Sequence, residues 1–188
     1  MTGPLAPSTT PSRQPYTVRP ARPADLDRLA AMLLALQDHV EAINPALWRL
    51  AEQARDAIQE QIAARLADET TRILVAEHPR DGVVGVLMGR VTTDARYIPS
   101  RTGFIEQAFV AVDHRRRGVG VRLVAEICRF FAEQGVDDIS LRYAIGNEGA
   151  IRFWTALGFA PRIVTAGTTR QALAARLEAD CPPPGNVL

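Results

Sequence analysis

Lysine is absent from this 188-residue chain, so all 22 of its basic residues are arginine. No side chain can form a Schiff base, and no lysine can follow a glycine loop to grip phosphates as a P-loop requires. Cysteine is scarce: Cys128 and Cys181 are too few for a disulfide framework and lack the spacing of a metal site. No metal is therefore expected, and a reducing cytoplasm is the simplest location. No run approaches the roughly 18 apolar residues of a membrane span, and MTGPLAPSTTPSRQP lacks the apolar core of a signal peptide. Charge of one sign is missing too. Acids nearly balance bases, leaving a formal net charge of +1, which gives no support to a nucleic-acid or membrane partner.

What is present is an ordinary globular composition, 47% hydrophobic and 23% charged, in a length that suits one compact domain. Proline, serine and threonine mark residues 1–14 as a disordered lead-in. The domain is expected over 15–166, with a C-terminal extension over 167–188 ending in CPPPGNVL.

Tyr16–Arg19 is a short strand candidate. Pro23 and Asp25 then suit the first turn of a helix carrying Leu26, Leu29, Leu33, Leu36 and Val40 at helical spacing. Asn44-Pro45 breaks it, and a second helix is expected from Ala46 to Ala67. Arg72–Glu77 and Val83–Val91 read as strands joined by the His78-Pro79-Arg80-Asp81-Gly82 turn. A loop over 92–102 leads to a third strand, Gly103–Ala111, and to a helix carrying Val119, Leu123, Ile127 and Phe130 that stops at Gly135. Ile139–Ile145, Asn147–Leu157 and Phe159–Val164 read as strand, helix and strand, and 169–178 as a further short helix. The order predicts an α/β fold, a central mixed sheet with helices on both faces.

The segment HRRRGVGVRL, residues 114–123, falls at a strand-to-helix junction. The first turn of a helix has N–H groups without intrahelical partners and a positive dipole end, an anion site before any side chain is counted. Gly118 and Gly120 let a diphosphate approach the backbone. A dinucleotide fingerprint would need glycine at position 123, which is leucine.

Arg115-Arg116-Arg117-Gly118-Val119-Gly120 resembles the Gln/Arg-x-x-Gly-x-Gly/Ala signature of the GNAT superfamily of acyl-CoA-dependent N-acetyltransferases. Val110 stands five residues before it, as in the family, and NEGAIRFWTALGF places Asn147, Ala150, Leu157, Gly158 and Phe159 where the family's second motif has its counterparts. The likeness covers residues 103–160; the N-terminal half agrees in element order only. It implies acetyl-CoA as co-substrate, its pyrophosphate on the N–H groups of Arg116, Arg117, Gly118, Val119, Gly120 and Val121, with Arg115 completing the signature. It also implies pantetheine paired to the backbone of Ala108, Phe109 and Val110, and a contact from Asn147. The reaction implied is direct transfer of an acetyl group to a primary amine of a small molecule or peptide. An ammonium cannot attack, so a base must take its proton. Glu106 is the candidate, sharing one face of an ideal strand with residues 108 and 110.

Where many members of the family have a tyrosine to protonate the leaving thiolate, this chain has Trp154, whose indole N–H donates but is not a useful acid. Tyr143 is the substitute candidate. His39, Glu41, Asn44 and Trp48 surround the helix break that borders the acceptor cleft in such folds. Members often dimerise, so a homodimer is a possible state. An acyl-CoA sensor that transfers nothing is the alternative reading.

Overall fold

The structure, a computed structural model, describes residues 16–44 and 49–178. The expected lead-in over 1–14, Trp48 and Cys181 lie outside them. The chain divides into two compact units, Met1–Arg152 and Phe153–Leu188.

The first unit is built on a five-stranded sheet in the order β1-β2-β3-β4-β5, formed by Thr17–Pro20, Thr71–His78, Gly82–Thr93, Arg101–Val110 and Ile139–Leu141. The first three pairings are antiparallel and β4 runs parallel to β5, so the sheet is mixed as expected. α1 (Leu26–Ile43), α2 (Glu52–Asp56) and α3 (Ile58–Leu66) connect β1 to β2, and α4 (Val119–Glu133) connects β4 to β5. α5 (Glu148–Ala156) runs from the first unit into the second, and α6 (Arg170–Glu178) lies within the second. No helix among the described residues is long and apolar enough to cross a membrane.

Helices cover both faces of the sheet. On one, Leu29, Ala30, Met32 and Leu33 of α1 and Ile62 of α3 bury against Ile73, Val75, Val86 and Met88. On the other, α4 presses close because the sheet offers glycines: a Cβ at Gly89 would stand 2.8 Å from Ile127 Cγ1, and one at Gly103 3.0 Å from the Phe131 ring. Those contacts are tighter than van der Waals packing allows, so the absent side chains set how close α4 lies.

The start of α1 is fixed by charge. Arg19 on β1 forks onto both carboxylate oxygens of Asp25 at 2.8 and 3.0 Å and also reaches Glu77 at 2.8 Å. The Arg19 guanidinium, ahead of the Arg22 backbone N–H, holds the buried Asp25 carboxyl below its usual range, and Asp25 in turn raises Arg19.

Three expectations change. Of the helix expected over 46–67, residues 46–48 lie outside the described residues, and the described part carries two helices parted at Ala57; α2 buries none of its residues, so no packing holds it in line with α3. The strand expected over Ile139–Ile145 stops at Leu141, leaving Tyr143 beyond its end. Phe159–Val164 forms no strand and is mostly exposed; Pro161 sits mid-run without the N–H a ladder needs.

Candidate functional site

Between β4 and α4 the chain makes a single 3-10 turn, Val112–His114, then passes through extended Arg115, left-handed Arg116 at φ 58° and left-handed Gly118 at φ 78°. Glycine is required at 118 because a side chain is strained there. Gly118 is the N-cap, and the first intrahelical bond runs from Arg122 N–H to Gly118 O at 3.1 Å. The N–H groups of Val119, Gly120 and Val121 thus precede the helical ladder. No side chain caps this end, and no acid stands in its first turn. The result is a positive, backbone-lined terminus suited to an anion. The three arginines part company here. Arg116 and Arg117 are exposed at the rim, whereas Arg115 folds back, donating from Nε to Val110 O at 2.8 Å with its guanidinium 5.6 Å from the Phe109 ring.

The strand leading to this turn is open along one side. β5 pairs with β4 only from Gly103 to Ile105, so residues 106–110 have β3 as their one strand neighbour. Ala111 N–H donates to Val84 O, and by antiparallel alternation Phe109 and Ala111 commit their main-chain groups to β3. Ala108 and Val110 point theirs to the open side, where Val110 O already accepts from Arg115 Nε, leaving both Ala108 groups and the Val110 N–H. Of the three residues expected to pair with a ligand, Phe109 is therefore the exception: its backbone is taken, and its ring packs toward the α1 and α3 core.

Glu106 lies at a β-bulge. Met88 pairs with Gln107 and Gly89 with Ile105, so Glu106 is the extra residue. The bulge breaks the parity of the ideal strand. Glu106 projects to the α1 and α3 face, where Arg90 Nε donates to its Oε1 at 2.6 Å and Arg65 Nη2 stands 3.6 Å from the same oxygen. Ala108 and Val110, opposite Leu87 and Gly85, face α4 instead, so Glu106 does not share their face as an ideal strand would have it. With both guanidiniums on Oε1, Oε2 is left for a water or an amine. Beside it, Gln107 follows the pairing of Met88 onto the same face, and its buried Oε1 has no hydrogen-bond partner. An orphaned acceptor of this kind costs about 1–3 kcal/mol unless a donor reaches it. Gln107 was not among the residues singled out from the sequence; a polar pair, Glu106-Gln107, inside the apolar run of β4 is the signal that could have found it.

The remaining candidates take other parts. Asn147 Oδ1 accepts from Ala150 N–H at 3.1 Å and so caps α5. Tyr143 is half-buried, two residues past the point where β5 ends and β4 stands open. Trp154 is buried, edge-on to Phe153 at 4.8 Å and to Phe159 at 5.3 Å, a packing role. Glu41 ties the next segment to α1: it accepts from Leu50 N–H at 2.8 Å and Gln37 Nε2 at 2.9 Å, and those bonds hold its carboxyl below the usual range. His39 lies in the same helix, and Asn44 caps it, donating from its N–H to Val40 O. The Cys128 thiol on α4 is pushed up by burial, away from reactivity.

The mixed five-stranded sheet is open beside β4 at its antiparallel-to-parallel junction, and an uncapped helix start follows there, which defines the class as an α/β domain with helices on both faces of a mixed sheet. The Acetyltransferase (GNAT) family matches residues 33–159, and the chain belongs to that family. It is 30% identical over 92 residues to an uncharacterized N-acetyltransferase of Methanocaldococcus jannaschii, a match spanning 47% of this chain and 41% of that one's length. Among solved structures it is similar to a tetramutant of the BH1408 protein of Bacillus halodurans, TM-score 0.72 at 20% identity, covering 81% of this chain and 99% of the other. An aminoglycoside 6'-N-acetyltransferase of Acinetobacter baumannii superposes with TM-score 0.64 at 18% identity, covering 82% and 98%. At such identities the structural likeness concerns the fold.

Proposed function

We propose that residues 15–166 form the catalytic domain of an N-acetyltransferase that moves an acetyl group from acetyl-CoA to a primary amine of a small molecule or peptide in the cytoplasm. One observation carries this: the open side of β4 at Ala108 and Val110 runs directly into the uncapped start of α4, so an arm that bonds main chain and a diphosphate at its end fit consecutive features. The N–H groups from Arg116 to Val121 bind the pyrophosphate, and the backbone of Ala108 and Val110 pairs the pantetheine. Asn147 reaches the coenzyme with its side-chain NH2.

The amine lone pair attacks the thioester carbon, the C–N bond forms, the C–S bond breaks, and the amine loses a proton. Glu106 Oε2 takes that proton directly or through a water, and Gln107 Oε1 accepts the amine's other N–H. Tyr143 supplies a proton to the leaving thiolate. Aminoglycosides belong in the acceptor panel because fold neighbours act on them.

The test is thiol release from acetyl-CoA across a panel of amines, aminoglycosides and peptides. The lysine-free chain offers no side-chain amine of its own, which keeps the background clean. Acceptor-dependent release above the uncatalysed rate is expected. Tight acetyl-CoA binding with no release for any acceptor would overturn transfer and leave a coenzyme sensor.

A further inference from the structure

Three segments meet at the opposite end of the β2–β3 hairpin from the Arg90–Glu106 pair. They are the residue before β1, the hairpin turn, and the 3-10 turn that precedes Arg115. His78 ends β2, Asp81 lies in the hairpin turn, and His114 ends the 3-10 turn. One ligand atom from each falls within 4.8 Å of the other two. Asp81 Oδ2 stands 2.6 Å from His78 Nδ1 and 3.4 Å from His114 Nε2. The histidine side chains are 16% and 12% exposed, while that of Asp81 is 51% exposed and so has room to move.

Two details distinguish this cluster from a hydrogen-bonded one. His78 Nδ1 is buried and has no hydrogen-bond partner, although Asp81 Oδ2 is 2.6 Å away. The approach is close but off the line a donated proton would take. A metal ion beside this atom would give His78 Nδ1 the partner it lacks. His114 presents Nε2 to the cluster while its Nδ1 lies 3.0 Å from Tyr16 Oη. Either atom can donate in this pair; in the tautomer whose Nδ1–H donates to Tyr16, the Nε2 lone pair points inward. That outer bond is the usual support of a metal-binding imidazole.

We propose that His78, Asp81 and His114 bind one divalent transition-metal ion of the zinc class, with Tyr16 orienting His114. Two imidazole nitrogens and one carboxylate oxygen favour zinc, cobalt or nickel over calcium or magnesium. At metal–ligand bonds of about 2.0–2.1 Å, tetrahedral ligand atoms stand roughly 3.3 Å apart. The Asp81–His114 pair already meets this, and the Asp81–His78 pair opens by a fraction of an ångström as the exposed turn moves. Water completes the fourth position on the solvent side. The ion fastens the hairpin to the turn that leads into Arg115. This departs from the sequence expectation of no metal, which rested on the cysteines. It stands whether or not the chain transfers acetyl groups.

The test uses the full chain, free of any affinity tag and stripped with a chelator, titrated with zinc by calorimetry and with cobalt by visible absorption. One equivalent at micromolar affinity or tighter is expected, with cobalt bands of four-coordinate intensity. His78→Gln, Asp81→Asn and His114→Gln each weaken binding at least tenfold. Tyr16→Phe keeps the stoichiometry and weakens affinity about tenfold, as loss of an outer-shell partner does. Absence of saturable one-to-one binding overturns the site. So does unchanged affinity in Asp81→Asn, an exposed-turn variant that leaves the core intact and decides the matter if the histidine variants fail to fold.

Discussion

The two halves of β4 are made to do different things by different means. From Ala108 through the Arg116 and Gly118 turn, the candidate site consists of main-chain groups: a strand side without a strand neighbour, two left-handed residues and a helix start without a cap. Around Glu106 and Gln107 it rests on side chains aimed by a one-residue bulge and held by arginines from β3 and α3. The first half should tolerate exchange of most side chains, and the second should be sensitive to a change at either side chain. Under the proposed function, the acyl donor would lie along the former and the amine acceptor beside the latter.

The largest expected break in that contrast is Glu106→Gln. Steady-state turnover should fall about 10²- to 10⁴-fold, the range for a lost general base, with acetyl-CoA affinity held within about twofold. Turnover within a few-fold of the parent would make Glu106 a structural partner of Arg90 and Arg65. Next comes Gly120→Leu, on ordinary helical backbone in the first turn of α4. Calorimetric affinity for acetyl-CoA should drop at least about tenfold while the thermal midpoint holds, because a side chain there obstructs the anion without straining the chain. Unaltered affinity would move the pyrophosphate elsewhere.

Smaller effects concern the frame shared by both halves. Gly89→Ala puts a methyl group 2.8 Å from Ile127 Cγ1 and should cost about 1–3 kcal/mol in urea unfolding, as overpacking does. A stability equal to the parent's would mean that α4 is free to retreat. The smallest is the acid dependence of the α1 start. Asp25 has its native pKa depressed by Arg19, so its contribution is present above the unfolded carboxylate value near 4 and is lost as pH falls through it toward the native value. Unfolding curves of the parent and Asp25→Asn should differ by on the order of 1 kcal/mol at pH 7 and converge on acidification. A constant gap across that range would assign the effect to packing.

The mixed sheet, the helices on its two faces and the strand-to-helix turn were legible because hydrophobic period and glycine placement are local signals. The turn at the start of α4, which forms the main-chain half of the candidate site, was legible for the same reason, since Gly118 carries its φ requirement in its identity. The side-chain half was not. A bulge at Glu106 depends on how β3 and β4 slide past each other, and nothing in FIEQAFV records which residue is left over. Arg65 meets Glu106 only through the packing of α3, and His114 meets His78 and Asp81 only because the sheet brings two turns together. Phe159–Val164 differs in the other direction, because its apolar content resembles a strand while Pro161 withholds the N–H a ladder needs.

The early end of β5 has a consequence for handling the protein. Past Ile105, β4 offers rungs without a strand neighbour to any extended peptide, its own copies included, much as an unfinished zip catches whatever fabric is near. A ligand that occupies those rungs would also act as a solubiliser. Stored with excess coenzyme, the protein should resist clumping as well as heat, whereas the bare form should be the one that self-associates.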